Sequence, residues 1–382
     1  MHKKLRLISQ IGRSFGAGEI FSGPGSINAM LALRASRIFI IHSKSFSKNE
    51  DNMERINRIF KNKVYKAFEA PSGEPVISEL SELFKKLNQF KPDCIVSIGG
   101  GSVLDLSKLA WIFYEHPDID ERNLSKPFNI PGLRGKSSFV AIPTTAGTGS
   151  EMSSAAVFQF SKDSPKSFAV SHDLIPDIAI LDPNLIMSVP RNVKIYSAMD
   201  ALAHSIEGYV SLFANDYTRD LAELATLNIF RYLDEYIETD NIEAAERILR
   251  ASNFAGIVQN ISVPGLGHAL SHQISKFDVA HGKGCGFFLP IAMKINCSKD
   301  RVKNSYDKLS KAVGFNSASD LVSKVENLIS DYEIKIDVKI FNEIDNDQTF
   351  IQSIFADPTA RANPIKINED LINKAISMGR EQ

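Results

Sequence analysis

The residues best suited to chemistry in this chain are histidines and one aspartate. Three of its eight histidines fall between 268 and 281, and His204 precedes them. Asp200 and His204 are spaced i, i+4 on the otherwise apolar run MDALAHSIEGY, a spacing that stacks both side chains on one helical face. His268 and His272 repeat that geometry in GHALSHQIS, and His281 follows with Gly282 behind it. An aspartate on an apolar helical face is costly to bury unless it is paired or metal-bound. Three histidines and a carboxylate make a nitrogen and oxygen donor set for a divalent metal. Any one of these histidines alone reads more readily as a hydrogen-bonded core residue. The group on two helices and a loop is harder to explain that way, although spacing does not decide which histidine is the non-ligand.

Two polar loops follow apolar runs in the first half. Gly99-Gly100-Gly101-Ser102 follows CIVSI and precedes the helical LDLSKLAWIFY. Glycines there let a backbone approach a ligand, and the helix behind them presents free N–H groups and a positive dipole end. Pyrophosphate of a dinucleotide is the usual occupant, and a tight strand-to-helix turn is the plain alternative. The loop is not a GxGxxG fingerprint, which disfavours an ordinary Rossmann enzyme. The second loop, Pro143 to Glu151, offers Thr144, Thr145 and Thr148 with two glycines and a serine. Alone it reads as a polar surface turn. Two such loops after two strands suggest one crevice at the carboxyl edge of an open sheet.

The elements that must carry these residues change character along the chain. Residues 37–43, 64–70, 93–101 and 137–150 hold strand-like apolar runs, and 77–90 has Ile77, Leu80, Leu83, Phe84 and Leu87 on one helical face. Strand, helix, strand at this spacing predicts βαβ units and a parallel sheet. From about Val193 the patterns are long and helical. The two-proline stretch 182–192 reads as the hinge between the halves. The tail after Phe341 reads as polar and mixed, with a last helix near 369–378.

Composition narrows the rest. The 382 residues are 43% apolar and 23% charged, which excludes a disordered or fibrous chain, and a net charge of −1 argues against nucleic acid as a main partner. No apolar run approaches the roughly 18 residues of a membrane helix. The N-terminal MHKKLRLISQIGRSFG is basic but lacks a signal-peptide apolar core. Three unpatterned cysteines, Cys94, Cys285 and Cys297, predict a reducing, cytoplasmic compartment and neither a disulfide framework nor a cysteine-based zinc site.

Taken together these residues resemble the iron-containing (group III) alcohol dehydrogenases. The resemblance is carried by FGAG (15–18), GGGSVLD (99–105), PTTAGTGSE (143–151), LDPNL (181–185), DALAHSIEGY (200–209), SLFANDYT (211–218), GLGHALSH (265–272) and HGKG (281–284). It implies an α/β dinucleotide-binding domain with a parallel sheet over 1–184 and an all-α metal and substrate domain over 185–382, in a dehydroquinate synthase-like architecture. Residue by residue it implies metal ligands at Asp200, His204, His268 and His281, and a proton-relaying catalytic histidine at His272. Cofactor contacts are implied at Gly99, Gly100, Gly101, Ser102 and Asp105, at Thr144, Thr145 and Thr148, and at Leu185. A homodimer is implied as well. The segment ADPTARANP (356–364), with Arg361, is only loosely similar to the family's closing pattern.

The chemistry so implied is hydride transfer between nicotinamide C4 and a metal-held alcohol or carbonyl, the metal acting as Lewis acid and His272 handling the hydroxyl proton. Four protein ligands would close a tetrahedral zinc site, so a catalytic metal here must accept a fifth ligand, which favours Fe²⁺ with Zn²⁺ as the alternative. NAD-preferring members resemble one another in an aspartate at the end of the second strand. This chain has Ser43 there, between His42 and Lys44, and nothing that repels a 2′-phosphate, so the expected cofactor is NAD(P)H with NADPH favoured. Lys276 and Lys283 beside two ligands raise an anionic aldehyde as substrate. A dehydroquinate synthase-like lyase and a maleylacetate reductase-like enzyme are the alternatives on the same fold. Net turnover of NAD(P)H separates the first, and chelator sensitivity the second.

Overall fold

The computed structural model describes residues 16–382 except 163, 165 and 346. The basic N-terminus and Phe15 of the FGAG segment lie outside the described residues. Contacts divide the chain into two compact units. One holds the described residues up to Val189 together with Asp240–Leu249, and the other holds Pro190–Thr239 and Arg250–Gln382.

In the first unit, the apolar runs at 37–42, 94–99 and 138–143 form strands because their side chains are buried on both faces, while the run at 64–69 forms a mostly exposed strand at the sheet's edge. The strands are β1 (Glu19–Ser22), β2 (Arg37–His42), β3 (Val64–Glu69), β4 (Cys94–Gly99), β5 (Ser138–Pro143), β6 (Ala155–Phe158), β7 (Ser167–Val170) and β8 (Ile178–Leu181). Phe39, Ile41, Ile95 and Phe139 enter one apolar cluster, while Ile38, Ile40, Val96 and Val140 enter the other. That alternation is the two-residue period of a strand, and burial on both sides makes the sequence read as one apolar run. Six strands form a sheet in the order β1-β8-β5-β4-β2-β3, with every pair parallel. The parallel sheet matches the expectation. The four-residue strands β1, β6, β7 and β8 were not legible as apolar runs, being too short to show a period, and β6 pairs β7 in a separate antiparallel ribbon.

The order carries a consequence for the site. From β2 the chain moves outward to β3, then returns to β4 on the other side of β2 and continues to β5. The reversal falls between β2 and β4, and crevices at such switch points are where open α/β sheets take ligands. The register places Gly99 of β4 opposite Pro143 of β5, so the two polar loops leave the sheet side by side. Helix α1 (Ser81–Phe90) begins later than the 77–90 pattern predicts. Ile77 donates its N–H to Gln159 O at 2.9 Å, and Ile77–Glu79 form a 3-10 turn before the helix starts. Helix α2 (Gly101–Glu115) follows the glycines and is apolar nearly all round, with Trp111, Leu109 and Ile112 fully buried.

The second unit is helical, as expected. Its site is carried by α3 (Arg191–Val210), α4 (Leu266–Ile274) and α5 (His281–Asn296). The tail departs from its polar reading. It forms the helices Val338–Ile344, Gln348–Ala356 and Pro358–Ala362 ahead of the expected last helix, Glu369–Glu381. Asp337, Asp347 and Asp357 cap the first three by accepting from Lys339, Thr349 and Thr359 N–H groups, and Asn368 caps the last. Side-chain caps satisfy the orphan donors of a first turn, which lets helices this short persist amid polar sequence.

Candidate metal and nucleotide sites

In the helical unit, three imidazoles converge on one carboxylate oxygen. Asp200 Oδ1 lies 3.8 Å from His204 Nε2, 3.5 Å from His268 Nε2 and 3.4 Å from His281 Nε2. Donors bonded tetrahedrally to one ion at about 2.1 Å stand about 3.4 Å apart, close to this spacing. Asp200 Oδ1 and His268 Nε2 are buried with no hydrogen-bond partner, an arrangement a bare apolar core does not tolerate and a cation resolves. Burial drives His204 down to about 3, leaving its imidazole neutral and able to ligate. Burial opposes ionisation of Asp200, yet the surrounding imidazoles hold it well below the usual carboxylate range.

Backbone proximity builds this cluster. Gly282 packs against the Tyr196 carbonyl, and Gly286 against Met199, which brings α5 onto α3 beside Asp200. Glu207 completes the support. Its Oε2 accepts from His268 Nδ1 at 2.6 Å and its Oε1 from Gly267 N–H at 2.7 Å, which turns His268 Nε2 toward Asp200. Glu207 was missed in the sequence, although Asp200, His204 and Glu207 follow the i, i+4, i+7 rhythm of one helical face.

His272 lies beside the cluster. Its ring stacks on that of His281, with centroids 5.1 Å apart and 13° between planes. Its Nδ1 donates to Asp357 Oδ2 at 2.8 Å, and Asp357 Oδ1 accepts from Thr359 N–H and Oγ1–H. Burial lowers the imidazole's affinity for a proton and the Asp357 charge opposes it. No local signal tied Asp357 to His272, which lies 85 residues earlier. Lys276 rests over the rings of Phe277 and Phe350, 5.0 and 5.6 Å from their centroids. Lys283 is half-buried.

The three cysteines are free, as expected, and they differ in burial. Cys94 and Cys285 are buried and Cys297 is partly so. Cys285 is not remote from metal chemistry: its Sγ lies 3.5 Å from His281 Nε2. Asp200, His268, His281 and Cys285 each offer a donor atom, all within 4.8 Å of one another. The signal was the i, i+4 spacing of His281 and Cys285.

In the sheet unit, the expected cofactor residues come together at the switch point. Thr144 N–H donates to Gly99 O at 2.9 Å, and Ser43 N–H to Ile98 O at 2.9 Å, so three loops share one strand-end edge. A Cβ on Gly100 would stand 3.3 Å from Thr145 Oγ1, and one on Gly101 would stand 2.6 Å from Thr148 Cγ2. Glycine is thus what lets the loops nest. Ser43 caps the turn Lys44–Ser47, accepting from Phe46 N–H at 3.2 Å. Leu185 lies in the apolar cluster with Ile27, Ile98 and Ile180.

Two buried charges on α2 tie down the second loop. Asp105 accepts from Ser150 Oγ–H at 2.6 Å and Val157 N–H at 2.9 Å. Lys108 Nζ sits among Ser150 O, Ser153 O, Ser153 Oγ and Ala155 O at 2.8 to 2.9 Å. Burial pushes Asp105 up to about 6 and Lys108 down to about 8. Lys108 was not singled out in the sequence.

A parallel sheet with glycine and threonine loops at its switch point, followed by a helical unit with a buried carboxylate and imidazole cluster, describes a nucleotide-and-metal type of enzyme fold. The family model for iron-containing alcohol dehydrogenase matches residues 17–183, and that for the C-terminal part of the Fe-containing alcohol dehydrogenase family matches 194–378. The chain belongs to the iron-containing alcohol dehydrogenase family. An alcohol dehydrogenase of Thermococcus barophilus is 30% identical over 91% of this chain and 93% of its own. An NADPH-dependent butanol dehydrogenase of Clostridium saccharobutylicum is 28% identical over 93% of this chain and 95% of its own. An aldehyde-alcohol dehydrogenase of Streptococcus pneumoniae is 35% identical over 61% of this chain, a match spanning only 27% of that longer relative. Among solved structures, the iron-containing alcohol dehydrogenase of Thermococcus thioreducens superposes with a TM-score of 0.90 at 27% identity, covering 97% of this chain and 100% of that one. No helix among the described residues is long and apolar enough to cross a membrane.

Proposed function

We propose that this chain is a metal-dependent, NAD(P)-linked alcohol dehydrogenase or aldehyde reductase acting on a small substrate. The observation that carries the reading is the convergence of His204, His268 and His281 Nε2 atoms on Asp200 Oδ1 at 3.4 to 3.8 Å. A bound divalent ion, Fe²⁺ by preference and Zn²⁺ otherwise, supplies Lewis-acid polarisation of the substrate oxygen. Asp200, His204, His268 and His281 hold it, and Glu207 keeps His268 turned toward it. His272, oriented by Asp357, takes the hydroxyl proton in oxidation and returns one in reduction. The Gly99–Ser102 and Thr144–Thr148 loops hold the dinucleotide, and Ser43 with Lys44 at the end of β2 admits a 2′-phosphate, so NADPH is the preferred form. The chain works as a homodimer in the cytoplasm.

The test is metal analysis of anaerobically purified protein, with NADPH oxidation followed across a panel of aldehydes before and after chelation. The panel includes phosphonate, sulfonate and carboxylate aldehydes to probe Lys276 and Lys283. One Fe or Zn per chain with chelator-sensitive turnover is the expected result. Metal-free protein with undiminished turnover overturns the metal-dependent reading.

A further inference from the structure

Within the helical unit lies a cleft of about 130 Å³ whose lining includes Ser211, Leu212, Arg219, Arg301, Ser305 and Pro364. None of these belongs to the donor cluster or to the His272–Asp357 pair. The two arginines come from different helices, Arg219 near the start of Asp216–Glu238 and Arg301 near the start of Asp300–Ala312. That end of a helix carries the positive end of its dipole, where a cation is unfavourable. Asp216 and Asp300 open the two helices and answer the dipoles in part, but both are exposed. Asp216 Oδ1 lies 3.1 Å from Arg219 Nη1, and an exposed pair of this kind is weak in water. Arg219 Nη2 adds only a long bond to Ala214 O at 3.5 Å. Arg301 has no carboxylate partner among the described residues and donates from Nη2 to Pro364 O at 3.0 Å. A guanidinium carries five N–H donors in a planar fork, so most donors of the two side chains are unspent within the chain. The hydroxyl hydrogens of the cleft are committed, Ser305 Oγ–H to Arg301 O at 3.2 Å and Ser211 Oγ–H to Ser262 O. What the cleft has to offer a ligand is therefore the pair of guanidinia, and what such forks match is an oxoanion.

We propose that this cleft binds a small oxoanion, a phosphate group or a carboxylate, between Arg219 and Arg301. The site is separate from the proposed reaction and does not rest on it. Its size suits the ligand: a cavity of roughly 150 Å³ takes a molecule as large as benzene, so this one admits phosphate or the end of a short-chain acid. Leu212 and Pro364 give the carbon part of such an acid an apolar wall. Occupancy also bears on the fold around the metal cluster. Pro364 follows Asn363, whose Oδ1 accepts from Leu266 N–H at 3.1 Å, at the start of the helix that carries His268. An anion that binds only the folded cleft stabilises this unit by mass action.

The test is isothermal titration of the full chain with inorganic phosphate and, separately, with malonate, in chloride buffer of constant ionic strength. Phosphate can also settle on the glycine loop of the sheet unit, so the readout is the difference between wild type and variants. The expected result is a binding event, for either anion or both, that Arg301→Gln and Arg219→Gln each weaken by about tenfold or more. Arg301→Lys should recover part of it, since it returns the charge without the fork. The better anion names the ligand's group. Should Arg301→Gln fail to fold, Arg219→Gln decides alone, its guanidinium holding only Asp216 and the Ala214 carbonyl. Binding of neither anion, or binding that neither substitution weakens, overturns the site. So does an equal loss in Lys303→Gln, which removes an exposed cation of the same helix as Arg301 that does not line the cleft.

Discussion

Gly282 lies so close to the backbone of Tyr196 that a Cβ on it would stand 2.0 Å from the Tyr196 carbonyl oxygen and 3.3 Å from Asp200 Cβ. The contact is backbone against backbone, so no side chain can swing aside. It is also the contact that brings the first turn of α5, with His281, onto the turn of α3 that carries Asp200. Gly282→Ala therefore pushes the two helices apart at the donor cluster. The expected outcome is a loss of about 1–3 kcal/mol in urea unfolding, with weakened binding of Zn²⁺. Gly132 has open space around its Cα and serves as the control, Gly132→Ala staying within about 0.5 kcal/mol. Unchanged metal affinity in Gly282→Ala would show that His281 is not positioned by this approach.

Asp357 acts on His272 from across the fold, through a single 2.8 Å bond to Nδ1. Asp357→Asn keeps the shape and removes the charge that favours a protonated imidazole. On the proposed mechanism kcat falls by about 10²-fold, the lower end of what acid–base catalysis contributes, while KM for the nucleotide stays put. His272→Ala carries the same defect, so the double variant should be no slower than His272→Ala alone. Additive losses in steady-state kinetics would mean that Asp357 acts other than through His272.

Asp105 gives a pH dependence with a definite sign. Its native carboxyl holds a proton up to about pH 6, against 3.8 for the ordinary group. Between those values the native state binds more protons than the unfolded one, so stability falls as pH rises. The contribution is full below pH 3.8 and is gone above pH 6. Relative to Asp105→Asn, the wild type should lose on the order of 2–3 kcal/mol between pH 4 and pH 7. Urea midpoints of the two proteins at each pH measure this, and a flat difference sinks it. Lys108→Met strips a buried carboxyl of its neighbouring cation and should cost about 3–5 kcal/mol at pH 7, part of which adding Asp105→Asn restores.

The parts of this protein that could be read from its sequence were those whose signals are local and long. The strands β2, β4 and β5 announce themselves because both faces are buried, and the pairs Asp200–His204 and His268–His272 because helical spacing is regular; spacing did not separate His272 from His281, and only the family resemblance did. Short strands such as β1 and β8 owe their existence to neighbours in the sheet, and no four-residue segment carries a period. The three tail helices before Glu369 hide because their starts are set by single capping aspartates amid polar residues. Asp357 hides for a different reason: nothing in its own neighbourhood depends on His272. Glu207 and Cys285 were legible in principle, each at helical spacing from a histidine, but a glutamate or cysteine beside a histidine is a weak signal until the backbone shows where both point.

Cofactor preference can be tested without disturbing the fold. Ser43 follows the last residue of β2 at the switch point and caps the turn that comes next, its Oγ accepting from Phe46 N–H at 3.2 Å. Aspartate is an equally good cap, so Ser43→Asp should keep the local backbone and change only the charge at the end of β2, which the proposed cofactor site sets beside the adenosine ribose. A carboxylate there repels a 2′-phosphate and can hydrogen-bond a 2′-hydroxyl. The expected outcome is a fall in kcat/KM for NADPH of roughly tenfold to a hundredfold, the effect of about 1.4–3 kcal/mol of like-charge repulsion, with NADH use retained or improved. Lys44→Ala should weaken NADPH in the same direction by less, since its exposed ammonium is screened by solvent. Parallel steady-state assays with both cofactors read the ratio directly. If Ser43→Asp leaves it unmoved, the end of β2 does not face the ribose, and selection between the two cofactors belongs to another loop of the edge.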